Sequence, residues 1–203
     1  MSWFQDSVQP WLIDRGMRNP EMRRRRALIP SRAEGRVLEL GAGAGLNLPH
    51  YGHQVSHLFA LEPADTLRSA VARAALSVRF PVTLLASGAE SIPLNDSSVD
   101  TVVTTWTLCS IPNLPAALGE VKRVLKPAGR LLFMEHGLAP DAAVARTQAR
   151  WAPVLQAVAG CQPDRPIDVA IEHAGFRFVT IERSWFDGPR FLSWHFTGAA
   201  QPD

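Results

Sequence analysis

The stretch Val37-Leu38-Glu39-Leu40-Gly41-Ala42-Gly43-Ala44-Gly45 decides how this chain is read. Its first half is an apolar run that reads as a buried strand over 36–40. It passes directly into Gly-x-Gly-x-Gly and the start of a helix. Glycines in such a turn permit positive φ and let a ligand approach bare backbone. A glycine turn at the carboxyl end of the first strand lies where open α/β sheets bind ligands. Alone, it is also compatible with a tight connection and nothing more. Glu62 changes that balance. It ends the second predicted strand about 20 residues beyond the loop, where a carboxylate can accept from ribose hydroxyls. A cap for the helix that follows Pro63 would explain an acid there, but not its pairing with the loop. The combination points to adenosine or a dinucleotide.

Outward from this unit the sequence keeps a strand and helix rhythm. Apolar runs at 56–61, 82–86, 99–105 and 130–135 are predicted strands, and helices are predicted over 64–76, 115–125, 144–159 and 167–174. Pro115 suits a first helical turn, and Gly175 suits a helix stop. Two apolar-rich strands at 176–182 and 190–197 close the chain. Their connection is too short for a helical crossover, so they must run antiparallel. Strands alternating with helices imply an α/β fold whose largely parallel sheet is covered on both faces. Ahead of the first strand, Trp3, Phe4, Val8, Trp11 and Leu12 recur at spacings near three and four, one face of a short helix. A second helix over 22–29 carries Arg23, Arg24, Arg25 and Arg26. That run reads as a solvated face in preference to a phosphate or membrane contact.

At about 150 residues per domain, 203 residues make one domain with terminal elaboration. A chain of this length buries a full core without disulfide or metal staples. With 46% hydrophobic and 20% charged residues it is a globule, not a disordered tail, and a net charge of +2 gives no argument for nucleic acid. Cys109 and Cys161 lie far apart and suggest neither a zinc knuckle nor a disulfide framework, so no metal is expected and a reducing cytoplasm is the expected setting. Asp6 and its polar neighbours interrupt any signal-like run. No stretch reaches the roughly 18 apolar residues of a membrane span.

From Val37 to Glu135 the ordered motifs resemble the class I S-adenosylmethionine-dependent methyltransferases, in the type 11 subset. The likeness rests on the glycine loop, Glu62, Ser87-Gly88-Ala89-Glu90-Ser91-Ile92-Pro93-Leu94, Ser98-Val99-Asp100-Thr101-Val102-Val103, and Glu120-Val121-Lys122-Arg123-Val124-Leu125-Lys126-Pro127-Ala128-Gly129-Arg130. Trp106-Thr107-Leu108-Cys109-Ser110-Ile111, Met134-Glu135-His136-Gly137 and Gly160-Cys161 look like the branch of membrane-associated thiol methyltransferases and their bacterial relatives. The resemblance implies a Rossmann-like, mostly parallel seven-stranded sheet with the last strand antiparallel and helices on both faces. The position of the N-terminal segment and its apolar spacing suggest a helical lid at 1–30 ahead of a methyltransferase domain at 31–203. S-adenosyl-L-methionine is then the cofactor. Gly41, Gly43 and the backbone around Ala42 would receive its methionine part, Glu62 the ribose and Pro63 the adenine. The Gly88-Ala89-Glu90 turn would meet the adenine edge, and Thr105 and Trp106 would line the sulfonium pocket. Glu39 and Asn47 complete the cofactor set. Many relatives carry an aspartate where Gly88 stands, so backbone groups or Glu90 must substitute. The apolar N-terminal anchor of the mammalian enzymes has no counterpart in the sequence as read.

Methyl transfer from a sulfonium needs alignment and exclusion of water, and a base only if the acceptor must lose a proton. His136, after the fifth strand, is the catalytic candidate; a structural histidine bonded to backbone is the other reading. His50, Tyr51, Cys109 and Arg165 are expected in the acceptor pocket. Cys109 is read as packing rather than nucleophilic because no adjacent base is legible, and Arg165 either touches the acceptor or pairs with Asp164 or Asp168. The expected activity is methylation of a small, hydrophobic thiol or phenol. A membrane lipid or quinone acceptor is the second reading, with the N-terminal segment touching a bilayer surface. A non-catalytic binder of the same cofactor is a third. A nicotinamide oxidoreductase fits less well, because the third glycine is out of its Rossmann position and no substrate domain remains.

Overall fold

The computed structural model describes residues 15–18 and 20–203. The aromatic face expected around Trp3 to Leu12 lies outside those residues. Seven strands, β1 (Gly35–Leu40), β2 (Val55–Leu61), β3 (Val82–Leu85), β4 (Val99–Thr105), β5 (Leu125–His136), β6 (Phe176–Trp185) and β7 (Trp194–Pro202), form one sheet in the order β3-β2-β1-β4-β5-β7-β6. From β3 to β5 all neighbours are parallel, whereas β7 runs antiparallel to both β5 and β6. The strand order reverses between β1 and β4, which opens a crevice at their carboxyl ends.

The helices are α1 (Pro20–Arg26), α2 (Asp65–Ala75), α3 (Leu114–Val124), α4 (Ala142–Ala159) and α5 (Ile167–His173). Strand side chains alternate between faces. Leu38 and Leu40 therefore join one buried cluster with Val102, Phe133, Leu118 and Ile171, under α3 and α5. Val37 joins another with Leu58, Val71, Val103 and Leu132, under α2. Both faces of the strands are covered, as near-continuous apolar runs require.

Boundaries differ in four places, and one is β5, which begins at Leu125, five residues before the expected start at 130, and pairs Leu125 with Val99. The chain at 190–192 is a 3₁₀ turn and β7 starts at Trp194, because β6 extends to Trp185 and pairs Trp185 with Trp194. Helix α4 begins at Ala142, since Asp141 caps it by accepting from the amides of Ala143 and Val144 at 2.9 and 3.0 Å. Helix α1 ends at Arg26, three residues before expected, and a 3₁₀ turn at Pro30–Arg32 follows. Pro30 lacks the amide that would continue a helix.

Gly45 shows how tightly the loop is built. Its φ is +75°, and a Cβ there would lie 3.0 Å from Ala74 Cβ and 3.3 Å from Val71 Cα in α2. Left-handed strain and overpacking should together make Gly45→Ala about 2–4 kcal/mol less stable. Denaturant unfolding, followed by circular dichroism, measures this; an unchanged midpoint would contradict it.

Candidate active site

Strand β1 delivers Glu39 and the glycine loop to the crevice. Gly43 has a φ of 56°, and a Cβ built on it would find only Gly41 O, at 3.9 Å. That side of the loop is bare backbone facing open space. Glu62, buried at the exit of β2, accepts from Gly43 N and from Ala64 N, each at 2.9 Å. The cap and the tie to the loop thus occur together in one carboxylate. Burial raises its pKa against those two amides and Arg68.

Glu39 is 1% exposed and accepts from Asn47 Nδ2 at 2.7 Å and Tyr51 Oη at 3.0 Å. Asn47 Nδ2 also donates to Thr105 Oγ1 at 3.0 Å, and Arg26 Nη1 donates to Asn47 Oδ1 at 2.9 Å. Burial pushes Glu39 up to about 7 in spite of Asn47, Tyr51 and the nearby Arg26 charge. One cleft brings together Glu39, Gly41, Ala42, Gly43, Asn47, Thr105 and Trp106, with Met17 and Arg26 across it. Gly88, Ala89 and Glu90 follow β3 outside this enclosed part. A Cβ at Gly88 would lie 2.8 Å from Glu90 Oε2, so the Glu90 carboxylate covers that glycine, while its Oε1 accepts from Asn113 N at 3.2 Å. Pro63 is exposed.

Trp106 lines both the cleft and a second chamber of about 330 Å³. Cys109, His136 and Cys161 form its polar end, and Met22, Leu155, Ala159 and Leu192 are among its apolar walls. Three elements deliver the polar groups: the turn after β4, the last residue of β5, and the residue after Gly160, whose φ of 67° stops α4. His136 Nε2 lies 3.2 Å from Cys161 Sγ. Nδ1 is buried without a partner among the described residues, so no backbone bond explains the ring. The hydrogen bond from Cys161, opposed by burial and aided by His136, holds the Cys109 thiol well below its usual range and drives Cys161 upward. Burial disfavours a charged His136, but the Cys109 thiolate outweighs it and the net shift is upward. The imidazole that sequence spacing did not show near Cys109 is that of His136, within 4.8 Å of the Cys109 sulfur.

Other expected pocket residues lie elsewhere. Tyr51 supports Glu39 and packs edge-on against Phe80, and neither it nor His50 lines the chamber. Arg165 donates to the carbonyls of Leu108 at 2.7 Å and Ile111 at 2.6 Å, bracing the turn that carries Cys109, while Asp168 pairs with Arg183. The arginine run divides: Arg23 and Arg24 are exposed, but Arg25 lies over the Phe186 ring and Arg26 is buried. A solvated face describes only its first half. Reading by sequence also passed over Glu135 and His195. Glu135 is fully buried, accepts from Thr104 Oγ1 at 2.7 Å, Thr107 N at 2.9 Å and Leu108 N at 3.1 Å, and is pushed up to about 8 by burial. His195 accepts from Trp106 Nε1 at 3.0 Å through Nε2 and faces Ser193 O with Nδ1 at 2.9 Å. Burial lowers its pKa to about 4, which keeps the ring neutral.

A glycine loop at the switch point of such a sheet, tied to an acid ending β2, defines an α/β protein that binds an adenosine-containing cofactor. Residues 38–133 match the family described as a methyltransferase domain. The chain is 32% identical over 178 residues to a thiol S-methyltransferase of Homo sapiens, covering 80% of this chain and 67% of that one. It is 33% identical over 137 residues to a phosphatidylethanolamine N-methyltransferase of Cereibacter sphaeroides, covering 64% and 66%. Among solved structures, a SAM-dependent methyltransferase from Aquifex aeolicus superposes with a TM-score of 0.65 at 20% identity, covering 96% and 98%. The chain belongs to the class I S-adenosylmethionine-dependent methyltransferases. It spans 62–67% of the length of the thiol S-methyltransferases of rat and human. No helix among the described residues is long and apolar enough to cross a membrane.

The residues fit S-adenosylmethionine: bare backbone at Gly43, a buried carboxyl at Glu62 for a diol, and a buried carboxyl at Glu39 for positive charge. Gly43→Val would fill the open side of the loop at a left-handed φ, and calorimetry should show S-adenosylhomocysteine binding lost. Retained affinity would displace the cofactor from this loop. A second expectation concerns protons. Near pH 7 about half of Glu39 is protonated, and a cation entering the cleft favours its ionised form. Binding should therefore release roughly half a proton near neutrality and strengthen as pH rises through about 7. Calorimetry in buffers of different ionisation enthalpy reads the release, and Glu39→Gln should abolish it.

Proposed function

We propose that this protein transfers the methyl group of S-adenosylmethionine to the thiol of a small, apolar acceptor held in the Trp106 chamber. The observation that carries the reading is the chamber itself: an apolar space that ends on Cys109, His136 and Cys161 and shares Trp106 and Met17 with the cofactor cleft. The bound cofactor supplies an activated methyl sulfonium. What remains for the chain is to hold the acceptor in line, exclude water and promote loss of the acceptor's proton; positioning alone is worth about 7–11 kcal/mol. Apolar walls select an apolar acceptor body, while the cluster at the far end faces its sulfur. Residues 1–30 act as a lid in this reading, supported by Met17 and Arg26, which reach the cleft from that segment. The likeness to the human thiol S-methyltransferase points to the same acceptor class.

A panel of alkyl and aryl thiols, phenols, a quinol and phosphatidylethanolamine vesicles, each offered with labelled cofactor, tests the acceptor class. Label should appear on thiols. Transfer to the lipid or the quinol alone would replace this reading by the membrane-acceptor one, and transfer to nothing would leave a binding protein. His136→Asn should lower turnover on thiols by roughly 10²–10⁴-fold while S-adenosylhomocysteine affinity stays within about threefold. An Asn variant of full activity would return His136 to a structural role.

A further inference from the structure

Cys109, His136 and Cys161 are 27 and 25 residues apart in sequence, yet their ligand atoms all lie within 4.8 Å of one another. Two sulfurs and an imidazole nitrogen from three separate elements converge at the wall of a cavity, and all three residues line it. We propose that these residues bind one thiophilic divalent ion of the zinc class, with a fourth coordination position open to the chamber.

Geometry and donor chemistry carry the proposal. Zinc–sulfur bonds of about 2.3 Å and zinc–nitrogen bonds of about 2.0 Å at tetrahedral angles place neighbouring ligand atoms about 3.5–3.8 Å apart. His136 Nε2 and Cys161 Sγ are 3.2 Å apart, a few tenths of an ångström short of that spacing, and all three ligand atoms lie within 4.8 Å of one another, so shifts of up to about 1 Å admit an ion among them. Two thiolates and an imidazole select zinc over magnesium or calcium, which take oxygen donors. Three protein ligands plus an open position is the arrangement of catalytic zinc sites, whereas structural sites close the shell with a fourth residue. No fourth cysteine, histidine or carboxylate joins the cluster among the described residues. The open side is the one that faces the chamber. Arg165 and Glu135 fix the Cys109 turn from behind, so one ligand is already held before an ion arrives.

The ion's part in turnover rests on the thiol reading above. An acceptor R–SH entering the fourth position loses its proton to solvent, because coordination favours the thiolate. The thiolate sulfur then forms a bond to the methyl carbon. The carbon–sulfonium bond breaks with its electron pair on the cofactor's sulfur. The products are R–S–CH3, S-adenosylhomocysteine and one proton, with no change of metal oxidation state. A neutral thioether is a weaker ligand than a thiolate and leaves.

Cobalt(II) titration of the reduced, chelator-stripped full chain tests the site without relying on activity. One Co²⁺ per chain should bind with strong visible d–d bands and near-ultraviolet thiolate-to-cobalt charge transfer, and Zn²⁺ should displace it. Cys109→Ser and Cys161→Ser should each reduce the charge-transfer band and weaken Zn²⁺ by more than the roughly 10–100-fold that loss of a supporting residue costs. In wild-type protein, Zn²⁺ should protect the Cys109 and Cys161 peptides from iodoacetamide, a readout independent of whether the variants fold. Substoichiometric uptake, an octahedral spectrum without charge transfer, or recovery of the two cysteines as a disulfide from reduced protein would overturn the proposal. A thiol acceptor added to the cobalt form separates the two readings. Stoichiometric tetrahedral cobalt that no thiol perturbs keeps the metal site and removes the thiol acceptor.

Discussion

One buried carboxyl holds the two halves of this site in register. Glu135 sits at the penultimate position of β5 and binds the exit turn of β4 at three points, through Thr104 Oγ1 and the amides of Thr107 and Leu108. Those amides belong to the segment between the cofactor cleft and the chamber. Thr107 in turn donates its hydroxyl to Leu40 O and packs where a side chain at Gly41 would stand. A short chain of contacts therefore runs from β5 through the β4 turn to the glycine loop. Without that carboxyl, two buried N–H groups would be orphaned, at a cost of about 1–3 kcal/mol each.

The strain this arrangement holds is visible at Trp106, whose φ is 52°. Left-handed backbone at a bulky residue persists only where its surroundings determine it. Here they do: Trp106 N donates to Met134 O at 2.9 Å, its indole Nε1 donates to His195, and Glu135 holds the next two amides. Trp106 so held lines both the cleft and the chamber. His195 keeps its place in the wall by staying neutral, stacked at 3.7 Å on Phe186.

Charge is distributed unevenly between the cleft and the chamber. On the cofactor side, Glu39 and Glu62 are both raised by burial, while Arg26 reaches in from α1 with its guanidinium 5.2 Å from the Trp106 ring centre. In the chamber, two sulfurs and an imidazole lie together behind apolar walls. A cationic cofactor thus enters a space whose acids are available to ionise, whereas the neighbouring chamber joins apolar walls to Cys109, Ser110, His136, Cys161 and His195.

Legibility in the sequence followed the range of the forces involved. The glycine loop, Glu62 and the parallel strands are fixed by local backbone demands and continuous apolar runs, so periodicity and spacing expose them. Strand order is not local. That β7 inserts between β5 and β6 is set by cross-strand packing, such as Phe133 opposite Gly198, which no short window contains. In the arginine run, helical phase was readable in principle: Met22, Arg26 and buried Ile29 recur at spacings of four and three, and the inward arginine is the one on that stripe. The sulfur cluster is the extreme case. Cys109 follows a strained turn, His136 ends a strand, and Cys161 follows the left-handed residue that stops α4. Each local cause is ordinary by itself. Their convergence exists only because Arg165 and Glu135, remote in sequence from Cys109, hold its turn against the end of β5. A cysteine that reads as packing in one dimension acquires a chemical neighbourhood only when the sheet sets an imidazole and a second thiol beside it.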